Sequence, residues 1–358
     1  MKFISEYRNK EEIEKVSKYL ATISNRDVTI MEVCGSHTMA IHRFGILDLL
    51  PPNIHLVSGP GCPVCVTPID YIDKAIALSR MSDTIITTFG DLIKVPGSSS
   101  TLEKERASGA DVRIVFSINE ALDIALKNSA KEVIFLALGF ETTIPATAAG
   151  ILRAKELNLK NFSILSAHKL MPPAMQSLIE EGIPIDGFLA PGHVSVITGI
   201  EIYRFIPEKF SRGVVVSGFE PLDILQSIVL LVQQLEKAMP KVEIQYKRAV
   251  KPEGNLKAQQ LSREVFEKTS ANWRGLGLLK DSALQLKDFF QGFDAEHKFS
   301  IHPEPTQEPK GCLCGLVLKG LKQPDHCPLF TRLCTPENPI GSCMVSSEGA
   351  CNIFYRFH

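Results

Sequence analysis

The sequence holds a single tryptophan, and aromatics make up only 7% of it, so stacking platforms for nucleic-acid bases are not expected. Charge of one sign is missing too. Lys and Arg number 39 against 40 Asp and Glu, a net charge of −1 that leaves no electrostatic footprint for a nucleic acid or an acidic membrane. No apolar run is long enough to cross a bilayer; the stretch 224–235 is too short and carries Gln226. Met1-Lys2-Phe3-Ile4-Ser5-Glu6 runs straight into a charged helix without the apolar region of a signal peptide. These absences lead to the expectation of a soluble, cytoplasmic protein with neither a nucleic-acid nor a membrane partner. Nucleotide fingerprints are lacking as well. Gly59-Pro60-Gly61 has no third glycine, its proline removes an N–H that would bind phosphate, and no Gly-x-x-x-x-Gly-Lys motif occurs.

What the chain does have is cysteine. Nine is an odd number, and in a reducing compartment it points to metal or redox chemistry over a disulfide framework. With 358 residues, 44% hydrophobic and 22% charged, the composition is globular and the length calls for two or three lobes.

Periodicity sets the order of elements. Residues 6–23 place Ile13, Val16, Tyr19 and Leu20 on one face of a surface helix. From Val28 onward, short β-rich runs alternate with helical ones, the signature of right-handed βαβ units and parallel sheets. Strands are expected at 28–33, 54–57, 84–88 and 112–116, and again at 133–138, 162–166, 187–190 and 213–217. Ser-Gly-Pro-Gly-Cys-Pro-Val-Cys in the first series resembles Leu-Ala-Pro-Gly-His-Val-Ser in the second, which suggests an internal duplication. The expected division is an N-terminal helix at 1–25, α/β lobes at 26–130 and 131–240, and a C-terminal lobe at 241–358. From His302 the chain turns rich in Pro, Gly and Cys, and six of the nine cysteines fall in residues 312–358. Such a segment needs something other than its own apolar core to order it.

In parallel α/β sheets, ligands collect outside the carboxyl ends of the strands. On that rule Cys34, Cys62, Cys65, Asp91, Glu141, His168, His193 and Glu220 are expected to face one cleft. Cys62-Pro63-Val64-Cys65 follows a strand, where helical N–H groups lower a thiol pKa, so a redox dithiol is the leading reading, half of a zinc site the second, and two unrelated buried cysteines the last, since Pro and Gly on both sides predict a tight exposed turn. Cys327, Cys334, Cys343 and Cys351 are widely spaced on Pro- and Gly-rich loops, without the paired Cys-x-x-Cys knuckles of zinc sites. That spacing suits an iron–sulfur cube, with zinc and unligated thiols as the other readings. His37, His168 and His193 stand near strand ends, where structural and catalytic roles compete.

Several blocks resemble the HypD family of nickel–iron hydrogenase maturation proteins. They are Glu32-Val33-Cys34-Gly35-Ser36-His37-Thr38, Gly59-Pro60-Gly61-Cys62-Pro63-Val64-Cys65, Thr88-Phe89-Gly90-Asp91, Gly139-Phe140-Glu141-Thr142-Thr143, Pro191-Gly192-His193-Val194-Ser195, Gly218-Phe219-Glu220-Pro221 and Cys343-Met344-Val345-Ser346-Ser347-Glu348-Gly349. The resemblance implies two Rossmann-like lobes and a smaller Cys-rich lobe holding a 4Fe–4S cluster, for which Cys327, Cys334, Cys343 and Cys351 are the assigned ligands. It implies a HypC-type small chaperone and a HypE-type cyanide donor as partners, and the hydrogenase large subunit as the indirect recipient of an Fe(CN)2CO unit. By the same resemblance Cys34 holds that transient iron and Cys62 and Cys65 are redox-active; with His37 they form the candidate catalytic set. Cys312 and Cys314 receive no role. A stand-alone iron–sulfur-dependent disulfide reductase is the alternative function.

Overall fold

The computed structural model describes residues 4–358, so the first three residues of the expected N-terminal unit lie outside it. The strands are β1 (Val28–Glu32), β2 (Ile54–Ser58), β3 (Thr84–Thr88), β4 (Val112–Ile114), β5 (Glu132–Gly139), β6 (Phe162–His168), β7 (Gly187–Pro191), β8 (Gly213–Ser217) and β9 (Val242–Ile244). An antiparallel hairpin follows, β10 (Phe266–Trp273) and β11 (Gly277–Leu286). Most of these runs are apolar on both faces, as strands covered by helices on each side must be.

Two all-parallel sheets result, with strand orders β2-β1-β7-β8-β9 and β4-β3-β5-β6. Both α/β lobes are therefore present, but they are interleaved, and a boundary at 130/131 does not exist. The chain builds two strands of the first sheet, crosses to build all of the second, and returns at β7 to finish the first. The motifs read as a duplication, at the ends of β2 and β7, lie in the same sheet, on either side of β1. The expected C-terminal lobe also starts too early, because β9 closes the first sheet and the hairpin packs on β6 and the helix Met171–Glu180.

Order 2-1-7-8-9 reverses direction between β1 and β7, and order 4-3-5-6 between β3 and β5. Each reversal opens a crevice at the carboxyl ends of the strands, where adjacent loops leave in opposite directions. One buried cluster joins the two sheets to the C-terminal segment: Met31 and Phe188 of the first sheet, Ile134 and Leu165 of the second, and Val317, Leu318 and Met344 near the C-terminus. The Cys-rich segment thus borrows the core of the sheets. On the outer face of the first sheet, the helix Lys10–Ile23 packs against Pro221–Glu236 through Leu20, with Ile13 and Val16 part-buried; Tyr19, 46% exposed, lies at the rim of that face, where its hydroxyl accepts from Gln233 Nε2 at 3.2 Å. Among the described residues no helix is long and apolar enough to cross a membrane.

Candidate functional site

Cys34 follows β1 at the crevice and caps the helix Gly35–Arg43. Two glycines let neighbouring loops close on it. A Cβ on Gly61 would lie 2.1 Å from Cys34 N, and one on Gly35 would lie 2.5 Å from Glu348 Cβ. The Gly35 N–H donates to Gly61 O at 3.1 Å, and the Gly59 N–H to Glu32 O at 2.8 Å, which ties the end of β1 to the loop after β2.

Glu32 lies beneath Cys34. It accepts from the Cys34 N–H at 3.0 Å and from the Thr38 hydroxyl, and burial pushes its carboxyl up to about 8. The Cys34 thiol is pushed up to about 12, by burial first and then by Glu348 and Glu32. Burial thus favours the protonated form of both groups.

Beside Cys34 the ring of Phe219 stacks between two imidazoles, 4.7 Å from His37 and 4.1 Å from His193. His37 Nε2 lies 3.0 Å from Gly218 O and 3.3 Å from Ser217 O, so that nitrogen carries the proton and donates. Burial lowers the His37 pKa to about 4 and keeps the ring neutral, and Nδ1 has no hydrogen-bond partner.

Cys62 and Cys65 form a disulfide across one short turn, Cα to Cα 5.2 Å. Both are buried, Cys65 completely. Ser342 connects this pair to the C-terminal thiols. Its hydroxyl donates to Cys65 O at 2.8 Å and lies 3.9 Å from Cys314 Sγ, while its carbonyl oxygen is 3.9 Å from Cys65 Sγ.

The C-terminal cysteines adjoin one another in a run of neighbours. Cys314 is held well below the usual thiol range by hydrogen bonds with Cys312 and then Cys343. Cys343 interacts with Cys314 and Cys351, and Cys334 with Cys351 and Cys327. Cys314 and Cys312, to which the sequence gives no role, therefore stand in the same group as the expected ligands; the Cys-Leu-Cys spacing was the available signal. A Cβ on Gly341 would come within 2.8 Å of Cys312 Sγ, so this glycine keeps the space among the sulfurs open. Among the described residues no three His, Cys, Asp or Glu side chains converge as a ready-made metal site. The donor set nevertheless fits an iron–sulfur cluster: six soft sulfurs in one segment, with a buried guanidinium, Arg274, left without a hydrogen-bond acceptor beside them.

The expected shared cleft gathers only part of its set. Cys34, Cys62, Cys65 and His193 meet at the first crevice, and Asp91 reaches it by accepting from Ser346 Oγ at 2.9 Å. His168 does not: it is buried between Thr147 and Phe266 at the far edge of the second sheet. Glu141 accepts from the Met171 N–H at 2.9 Å and lines a separate cavity of about 1240 Å³ with Leu170, Gln176 and Lys268. Glu220 turns outward to pair with Arg8. Packing within the second sheet explains His168 and Glu141, and the ion pair with Arg8 explains Glu220. Phe219, Ser342, Glu348 and Arg274 are the contributors that residue type alone did not single out.

A fold of two interleaved parallel sheets brings cysteines from three chain segments to one junction. The sequence profile of the hydrogenase formation hypA family, HypD, matches residues 8–358. Hydrogenase maturation factor HypD of Cupriavidus necator is 44% identical over 100% of this chain and 97% of its own length. Hydrogenase maturation factor HypD of Escherichia coli is 44% identical over 100% and 98%, and hydrogenase expression/formation protein HupD of Azotobacter chroococcum 45% over 100% and 97%. The chain belongs to the HypD family of hydrogenase maturation factors.

Proposed function

We propose that this maturation factor is the scaffold on which the Fe(CN)2CO unit of nickel–iron hydrogenase is assembled, with electron handling by the same protein. The observation that carries the reading is convergence: Cys34, the Cys62–Cys65 disulfide and the C-terminal thiols are joined through Gly61, Glu348 and Ser342.

In this reading the iron is the substrate. Cyanide and CO favour low-spin Fe(II), and soft thiolates hold such an iron transiently. Cys34 supplies one sulfur and a HypC-type chaperone the other, while a HypE-type partner delivers cyanide. Binding requires the Cys34 proton to leave, and Glu32 holds the loop in place by accepting from the Cys34 N–H. The His37–Phe219–His193 stack walls the crevice on the side of β7 and β8.

A 4Fe–4S cluster, when bound, would supply single electrons beside the dithiol. Cys327, Cys334, Cys343 and Cys351 are its nominated ligands, with Cys314 in the same group of thiols. Reduction of the Cys62–Cys65 disulfide takes two electrons and two protons and yields two thiols, and Ser342 holds that pair against the cysteine group. The stand-alone reductase reading needs a disulfide that a substrate thiol can reach, and full burial of Cys65 weighs against it.

Infrared spectroscopy of the protein co-purified with its small partner tests the scaffold. Wild type is expected to show cyanide and carbonyl stretching bands, and Cys34→Ala to lose them while the Cys62–Cys65 pair still cycles with dithiothreitol. Bands of wild-type intensity in Cys34→Ala would sink the assignment.

A further inference from the structure

Arg274 stands in the turn between β10 and β11, far in sequence from every cysteine segment it touches. Its N–H donates to Val66 O at 2.9 Å, one residue past the disulfide. The next residue, Gly275 (φ +82°), leaves a gap in which a Cβ would meet Gly315 Cα at 2.6 Å. The turn is thereby pinned to the dithiol loop on one side and to the helix Cys314–Leu318 on the other.

The Arg274 side chain is buried, and both Nη1 and Nη2 lack a hydrogen-bond acceptor. The acid that reaches it, Glu308, is 3.9 Å from Nη2 and 67% exposed. An ion pair that long and that wet contributes little. A buried cation without a matched anion is costly, by several kcal/mol in the usual case. The fold therefore keeps a charge whose partner is not among its carboxylates. The turn that carries it packs against Gly315, next to Cys314, so the charge stands at the edge of the cysteine group.

We propose that Arg274 is the internal counter-cation of the iron–sulfur cluster, offsetting the negative charge of the thiolates and sulfides and thereby raising the cluster's reduction potential. The inference rests on the cluster reading given under the proposed function. An iron–sulfur centre held by four thiolates carries net negative charge and gains one more on reduction, so a fixed cation in a dry site stabilises the reduced form more than the oxidised one. Arginine suits the task because its planar fork can present N–H groups to two sulfurs at once, and it is more weakly hydrated than lysine. Since the Arg274 N–H also bonds the carbonyl of the residue after Cys65, the charge sits between the dithiol loop and the helix Cys314–Leu318.

The experiment is an anaerobic redox titration with dithionite, followed by electron paramagnetic resonance, of wild type, Arg274→Gln and Arg274→Lys. Iron, acid-labile sulfide and thermal unfolding are measured on the same samples. Arg274→Gln is expected to shift the reduced-to-oxidised ratio at fixed potential about tenfold toward oxidised, which is 59 mV for one electron. Arg274→Lys is expected to return most of that shift. Arg274→Gln failing to retain the cluster while Arg274→Lys retains it, with apo-protein unfolding unchanged, also supports the role. Equal midpoints in all three proteins, or loss of iron and sulfide in both variants alike, would overturn it. Wild type without acid-labile sulfide would instead remove the cluster reading itself, a result distinct from either.

Discussion

Gly61→Ala is the sharpest test of how the Cys34 site is built. The added Cβ would lie 2.1 Å from Cys34 N, 2.4 Å from Cys34 Cα and 2.5 Å from Val33 C. All three are backbone atoms, so no side-chain rotation relieves the clash, and the two loops must part by more than an ångström. Overpacking of this kind costs about 1–3 kcal/mol and occasionally more, and a backbone-on-backbone contact belongs at the upper end. If that cost falls on the contact between the loops, opening of the Cys34 pocket becomes about 3 kcal/mol cheaper, and the open fraction rises by about two orders of magnitude. Cys34 is only 9% exposed, so its alkylation by iodoacetamide under native conditions reports that opening. The assay is peptide mass spectrometry of Cys34 labelling rates with the Cys62–Cys65 disulfide intact, alongside denaturant unfolding. Gly292→Ala is the control: nothing lies within 4 Å of its Cβ position, and its effect is expected to stay within about 0.5 kcal/mol. A labelling rate and unfolding midpoint for Gly61→Ala equal to those of the control would refute the claim that these loops are in forced contact.

Two further predictions concern buried charge. Asp223 is fully buried and accepts from Arg248 Nη1 at 2.7 Å and Nη2 at 2.6 Å, from Gln245 Nε2 at 2.8 Å and from the Glu220 N–H at 3.1 Å. Asp223→Asn leaves Arg248 without its anion, and a loss of about 3 kcal/mol in denaturant unfolding is expected; a loss under about 1 kcal/mol would contradict the pairing. Glu141 has its carboxyl pushed up to about 7 by burial, and Oε2 has no hydrogen-bond partner. A folded-state pKa above the unfolded value means that folding favours the protonated form. The stability from this group is thus present in acid and lost as pH climbs from the ordinary carboxylate range through about 7. Glu141→Gln is expected to flatten that slope and to gain on the order of 3 kcal/mol over wild type at pH 8; parallel stability–pH curves for the two proteins would show that Glu141 is not the source.

The local elements were legible because their signals are local. Thr84–Thr88 and Gly213–Ser217 are strands at the expected bounds, and the helix expected from Leu222 forms one residue earlier, at Pro221, under a capping box between Glu220 and Asp223. Strand partners were not legible. β1 pairs with β7 across more than 150 residues, and nothing within Val28–Glu32 encodes whether its neighbour comes from residue 85 or residue 187. The site divided along the same line. Cys34, Cys62 and Cys65 could be found by residue type and strand-end position, because thiols after strands have few structural uses. Glu141 and His168 carry the same positional signal, yet the packing of the second sheet consumes them. Ser342 and Phe219 escaped notice because a serine and a phenylalanine earn no attention until their neighbours are known.

Interleaving gives the disulfide loop its place in the molecule. Residues 59–68 are the first crossing between sheets: β2 belongs to one sheet, and the helix Ile69–Ser79 packs on β3 of the other. A contiguous lobe would have held Cys62 and Cys65 within a single rigid unit. Here the pair lies on the connection itself, clamped by Cys34 from the first sheet, Arg274 from the hairpin and Ser342 from the C-terminal segment. Any change in the conformation of Pro63–Val66 on opening the disulfide is therefore felt at once by the loop that closes over Cys34 and by the residue that precedes Cys343. That shared segment gives a redox event at one thiol pair a direct mechanical route to the thiol proposed to hold iron, without a relay through the body of either sheet.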